Sequence, residues 1–117
     1  MTKDLDFDAV VIGAGLSGLY QAYRLREMGY NVLGVEGSDD IGGVWHHNRY
    51  PGARFDSESE VYGYFWNEQL MQEWNWSERF AAQPEVLEYI HRAAEIMDIR
   101  KDYIFNARVY KAVFDDE

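Results

Sequence analysis

The run VVIGAGLSGL, residues 10–19, limits what this chain can fold into more than any other stretch. An apolar segment, FDAVVI (residues 7–12), ends at Gly13-Ala14-Gly15, as a buried parallel strand does when it enters a tight turn. LSGLYQAYRLREMG follows, with Leu16, Leu19, Tyr20, Tyr23 and Met28 broadly on one helical face and Gly29 where a stop is expected. NVLGVE, residues 31–36, reads as a second short strand. Parallel neighbours need a crossover helix between them, so the three segments predict a βαβ unit.

Within that unit Gly13, Gly15 and Gly18 fill a G-x-G-x-x-G pattern, and Glu36 stands eighteen residues after Gly18 at the end of the second strand. In this setting each residue has a task in holding a dinucleotide. Gly13 permits the turn, Gly15 lets backbone approach a pyrophosphate, and Gly18 lets the helix pack closely on the strand. The helix N-terminus offers unpaired N–H groups and a favourable dipole to phosphate. Ser17 adds a hydroxyl donor, and Glu36 accepts from ribose hydroxyls. An acid at that point suits the unphosphorylated ribose of FAD or NAD better than the 2′-phosphate of NADP. The plainer alternative is that the glycines serve only turn and packing.

At 117 residues the chain is at most one small domain, and 47% hydrophobic with 16% aromatic residues argues against disorder. A net charge of −10 leaves no basic stripe, so no nucleic-acid partner is expected. The acidity is compatible with a phosphate-bearing cofactor held by backbone N–H groups. Without cysteine there is no disulfide, thiolate nucleophile or Cys-ligated zinc. No apolar run has the length of a signal or a membrane span, so the expectation is a cytoplasmic protein with no membrane partner.

Residues 37–66 carry glycines, acids and aromatics with no sustained period, and an irregular stretch of that length is usually functional. A short helix is predicted from Glu68 to Trp74, and a longer one follows Pro84, with Val86, Ile90, Ala93 and Met97 at helical spacing. YIFN (103–106) reads as a third strand. RVYKAVFDDE (108–117) alternates like a fourth, with Asp115, Asp116 and Glu117 forming a solvated hairpin turn. Three parallel strands and one further strand read as a domain that continues past residue 117.

GGVWHHNRYPGARFD, residues 42–56, concentrates chemistry-bearing side chains. His46 and His47 do not read as metal ligands: neighbours in extended chain point apart, and His91 sits in a distant helix. Loop packing and cofactor contact are the expectation there. Trp74 and Trp76 read as anchors for a helix end, and Asp39-Asp40 as loop residues.

Three segments, DAVVIGAGLSGLY, VEGSDDIGGVWHHNRYPGARFDSES and LMQEWNWSERFAAQPEVLEYI, together resemble the N-terminal part of flavin-dependent Baeyer–Villiger monooxygenases. The likeness is nearly continuous from residue 8, and G-G-x-W-x-x-N-R-Y-P-G is much more specific than the glycine pattern. The resemblance implies an α/β fold: a Rossmann-like FAD-binding domain of the flavoproteins with two dinucleotide-binding domains. Residues 1–117 would be its N-terminal portion, incomplete, with three parallel strands and the start of a β-meander. The NADP-binding domain and the rest of the FAD domain would lie in the remainder of the full-length enzyme.

The same resemblance implies site residues. Gly13, Gly15, Ser17, Gly18 and Glu36 would hold the FAD pyrophosphate and ribose. Gly43, Val44, Trp45 and His46 would contact the cofactor toward its flavin end. Arg54, Asp56, Ser57 and Tyr62 would follow, with Asp56 as the catalytic residue near the flavin, and Val109 would lie against adenine. The implied reaction takes electrons from NADPH and uses O₂, through a C4a-peroxyflavin, to insert oxygen beside a ketone carbonyl. The cationic partner of Asp56 falls outside this chain and is not carried over onto Arg49 or Arg54. Two departures stand out: Phe55 replaces a smaller residue, and His46 stands where Tyr is usual. The chain alone is expected to be inactive. An N- or S-oxidising flavin monooxygenase, or a noncatalytic nucleotide-binding fragment, are the alternatives.

Overall fold

A computed structural model describes residues 4–116. β1 (Ala9–Ile12), α1 (Leu16–Glu27) and β2 (Val32–Val35) form the expected βαβ unit, with β1 and β2 parallel and in register Val11 to Gly34. Leu19 and Ala22 bury one side of α1, and Tyr20 and Tyr23 pack at its margin. Met28 falls beyond the helix as its C-cap and is exposed, unlike the other residues of the expected face. Gly29 takes a positive φ of 92° there, a turn that a side chain would oppose.

The one-turn α2 (Val44–His47) and α3 (Ser59–Tyr62) break the irregular 37–66 segment. α4 (Glu68–Glu73) begins at Asn67, whose side chain accepts the Leu70 N–H at 2.8 Å and so caps it. α5 (Gln83–Met97) buries Val86, Ile90, Ala93 and Met97, the four residues its spacing singled out, together with Tyr89 and Ala94. At roughly 1.5–3 kcal/mol for each large apolar side chain buried, this face contributes much of the stability of the core.

A 3-10 turn, Arg100–Asp102, leads into β3 (Tyr103–Ile104), which pairs parallel to β2, giving the order β1-β2-β3. Arg26 ties these parts together. Its guanidinium donates to the Asp98 carbonyl at 2.7 Å, to the Met97 carbonyl, and to Asp102 Oδ2 at 2.5 Å. The last carbonyls of α5 are thereby satisfied by a cation from α1, as an unpaired helix C-terminus favours.

The segment between α2 and α5 is irregular but not loose. Phe55 N–H bonds to the Ala81 carbonyl (3.0 Å), Gln83 N–H to Ala53 (2.9 Å) and Ser59 N–H to Arg79 (2.7 Å), around an isolated antiparallel bridge from Arg54 to Ala82.

The fourth strand expected over 108–117 is not formed: residues 105–116 contain no strand. Asn106 adopts a left-handed φ of 55° and turns the chain off the sheet. Its N–H and that of Ala107 then bond to the carbonyls of Ser38 and Glu36. Tyr110, Val113 and Phe114 stay largely exposed, because alternation sorts side chains into faces but a ladder needs a neighbouring strand. The start of a β-meander is therefore not formed among the described residues. Asp115 and Asp116 do not form the expected hairpin turn, and Glu117 lies outside the described residues. Among the described residues no helix is long and apolar enough to cross a membrane.

Candidate functional site

The carboxyl ends of β1 and β2 open into a cleft of about 330 Å³, lined by Gly13, Glu36, Ser38, His47, Arg108 and Val109 among others. This is where open parallel sheets bind ligands, because the loops diverge there and helix N-termini point at the opening. The first intrahelical bond of α1 is Leu19 N–H to Gly15 O at 3.0 Å, so the amides just ahead of it have no acceptor within the helix. Ser17 is exposed in that first turn. Clefts of similar size lie elsewhere, one beside Tyr64, Trp74 and Tyr89 and another beside Arg49 and Leu87. Neither is lined by the glycine loop or Glu36.

Glu36 is buried, with 8% of its surface exposed, and both of its carboxylate oxygens accept hydrogen bonds. Its Oε2 accepts the Ala14 N–H at 2.6 Å, and its Oε1 accepts the Ser38 N–H at 3.1 Å and hydroxyl at 3.0 Å. Burial pushes its carboxyl up, but those hydrogen bonds, aided by nearby His47, outweigh it and hold the group below the usual carboxylate range. The acid thus stays charged and oriented toward the glycine loop.

Gly18 packs as the pattern requires: a Cβ on it would lie 2.1 Å from the Gly13 carbonyl oxygen. The second glycine pair rests on the first. Gly42 N–H bonds to the Ala14 carbonyl at 2.9 Å, and Gly43 sits against Gly15.

Beyond Gly43 comes α2, whose last residue, His47, lines the cleft. Val44 is exposed, and His46 Nε2 meets Asp39 Oδ1 at 2.9 Å. Trp45 donates its indole N–H to the Tyr62 hydroxyl at 2.9 Å, and its carbonyl accepts from Gln83. Phe55 is 4% exposed and packs against Trp45, Tyr62 and Trp76, so the large residue at this position is core. Ser57 is half-buried and Asp56 exposed. Arg54 does not turn to Asp56; its guanidinium bonds to Glu78 Oε2 at 2.8 Å and the Phe80 carbonyl at 2.9 Å. Asp56 has no hydrogen bond or ion pair among the described residues.

Gly13, Glu36 and Val109 are thus brought to one cleft, Gly15 and Gly43 to one contact, and Trp45 and Tyr62 to one hydrogen bond. Sequence reasoning missed Ser38, Arg108 and Tyr103, whereas His47, read with His46 as a loop and cofactor contact, does line the cleft. Ser38 had a signal, since a short polar residue two positions after an acid readily bonds within a turn. Tyr103 had none beyond its place in a strand.

The sequence matches the family described as an NAD(P)-binding Rossmann-like domain over residues 11–72. It is 56% identical over 110 residues to the 2-oxo-Delta(3)-4,5,5-trimethylcyclopentenylacetyl-CoA monooxygenase of Pseudomonas putida, covering 94% of this chain and 20% of that protein. It is 50% identical over 109 residues to the cyclopentanone 1,2-monooxygenase of Comamonas sp. (strain NCIMB 9872), covering 93% of this chain and 20% of that one. Among solved structures, OTEMO in complex with FAD and NADP matches with a TM-score of 0.92 and 53% identity, over 97% of this chain and 22% of that one. The chain therefore spans about a fifth of the length of these relatives.

Proposed function

The chain belongs to the family of NAD(P)-binding Rossmann-like domains; from this we propose that residues 1–117 are the N-terminal portion of the FAD-binding domain of a flavin monooxygenase. Its reaction is the NADPH- and O₂-dependent insertion of oxygen next to a ketone carbonyl. The observation that carries this reading is the buried, charged Glu36 beside the glycine loop at the mouth of a cleft. The cyclopentanone monooxygenase relative supports the ketone, and the FAD and NADP complex of OTEMO supports the cofactors. NADPH and the ketone would meet mostly residues of the remainder of the full-length enzyme. A cytoplasmic location is part of the same reading.

The residues fit the adenosine and pyrophosphate end of FAD. The open amides at the start of α1 would hold the phosphates, with Gly15 leaving room and Ser17 adding a hydroxyl. Glu36 would accept from a ribose hydroxyl with the lone pair that Ala14 leaves on Oε2, and Val109 would lie against adenine. Bound FAD supplies the ring that accepts hydride and activates O₂. Gly43 to His46, with Arg54, Ser57 and Tyr62, form the wall running toward that ring. Asp56, exposed and without a partner among the described residues, is the catalytic carboxylate, available to a cation from the rest of the enzyme.

The test is to purify the full-length protein and record its absorbance, then supply NADPH and O₂ with a cyclic ketone or a thioether. A flavin spectrum and a lactone product are expected. A colourless protein rejects the cofactor, and sulfoxide without lactone moves the reaction to the S-oxidising class.

A further inference from the structure

Tyr103 stands directly across from Gly34 in the parallel pairing of β3 with β2, and Gly34 stands across from Val11 in β1. Side chains in register share a face of the sheet. Because residue 34 has no side chain, the Tyr103 ring lies flat over β2: a Cβ on Gly34 would be 2.5 Å from the ring carbons. The ring reaches across one strand, and its hydroxyl donates to the Gly13 carbonyl at 2.7 Å. Tyr103 is 6% exposed.

The Gly13–Ala14 peptide is therefore held at both edges. Its C=O accepts from Tyr103, and its N–H donates to Glu36 Oε2 at 2.6 Å. Ser38 holds the other carboxylate oxygen. A peptide group is planar, so fixing the carbonyl direction fixes the direction of the N–H beyond it. We infer that Tyr103 is a positioning residue for dinucleotide binding, acting through the Gly13–Ala14 peptide to set the Glu36 carboxylate for the ribose. Burial and the neighbouring Glu36 charge push the Tyr103 phenol up, which keeps it a neutral donor at any physiological pH. The inference rests on the cofactor reading above and adds a residue to it.

The experiment compares FAD with its 2′-deoxyadenosine analogue in the full-length protein, as wild type and as Tyr103→Phe. Phe keeps the ring over Gly34 and removes only the hydroxyl. Wild type is expected to prefer FAD by about tenfold or more, as a hydrogen bond to a charged acceptor supports. In Tyr103→Phe, FAD binding falls and the preference shrinks toward one. If both ligands weaken equally and the preference is kept, Tyr103 is merely structural and the inference is overturned. Should Tyr103→Phe not fold, 3-fluorotyrosine at position 103 gives a stronger donor of nearly the same shape. It is expected to raise the preference, and an unchanged preference overturns the inference. A wild type that binds neither ligand removes the cofactor reading itself, and this inference with it.

Discussion

Gly43 lies against Gly15, and the contact is not symmetric: a Cβ on Gly43 would sit 3.0 Å from the Gly15 Cα, whereas one on Gly15 would sit 3.6 Å from that of Gly43. Gly43 also has a φ of 58° and ψ of −127°, a conformation costly to any other residue. The protein itself thus forbids a side chain at 43 and tolerates one at 15. Gly15→Ala is expected to leave thermal stability almost unchanged while weakening FAD binding at least tenfold. Gly43→Ala and Gly18→Ala are expected to lose roughly 1–3 kcal/mol of stability, from strain and overpacking. Melting curves with and without added FAD separate the two classes; equal loss of stability in all three would refute the distinction.

Phe55 joins Trp45, Tyr62 and Trp76, with its ring centroid 4.0 Å from that of Tyr62. Phe55→Ala is expected to cost about 3–5 kcal/mol, as emptying a packed aromatic site does. Urea titration of the full-length protein measures it. A cost below 1 kcal/mol would mean that the aromatic cluster does not organise this wall.

Stability should fall at both ends of the pH scale. Glu36 is held below its ordinary value, by hydrogen bonds that outweigh burial, so its contribution is present above the unfolded value of 4.5 and is lost as pH falls through the lower folded value. Tyr64 and Tyr103 are pushed up, chiefly by burial, so their contribution is present below the unfolded value of 10.0 and is lost as pH rises toward the folded one. A plateau in melting temperature between roughly pH 5 and 9.5 is expected. Glu36→Gln should flatten the acid limb, and Tyr103→Phe the alkaline limb; unaltered limbs would contradict these assignments.

Asp56 is exposed and lies apart from the aromatic cluster that holds its neighbour Phe55, so its replacement bears on chemistry more than on folding. Asp56→Ala in the full-length enzyme is expected to leave FAD content and melting temperature near wild type. Flavin reduction by NADPH and ketone oxidation are expected to slow by about 10²–10³-fold, the range seen when a group stabilising transition-state charge is removed. Unchanged rates for both steps would remove Asp56 from the catalytic machinery.

Local pattern made the βαβ unit, its glycine turn, the buried face of α5 and the position of Glu36 legible from residues alone. Periodicity, strand length and turn chemistry are properties of neighbours in sequence, and Val86, Ile90, Ala93 and Met97 all went where that logic sent them. The same logic failed after Ile104, where alternation from Arg108 onward suggested a strand. Pairing requires a second segment alongside, and Asn106 instead commits the backbone to Glu36 and Ser38. Tertiary structure alone decided that Arg54 pairs with Glu78. It alone decided that Phe55 is core and that Tyr103 reaches over Gly34 to hold the loop that orients Glu36. Those contacts join residues up to 90 positions apart, and their partners are chosen by the register of packed strands, which no local pattern encodes.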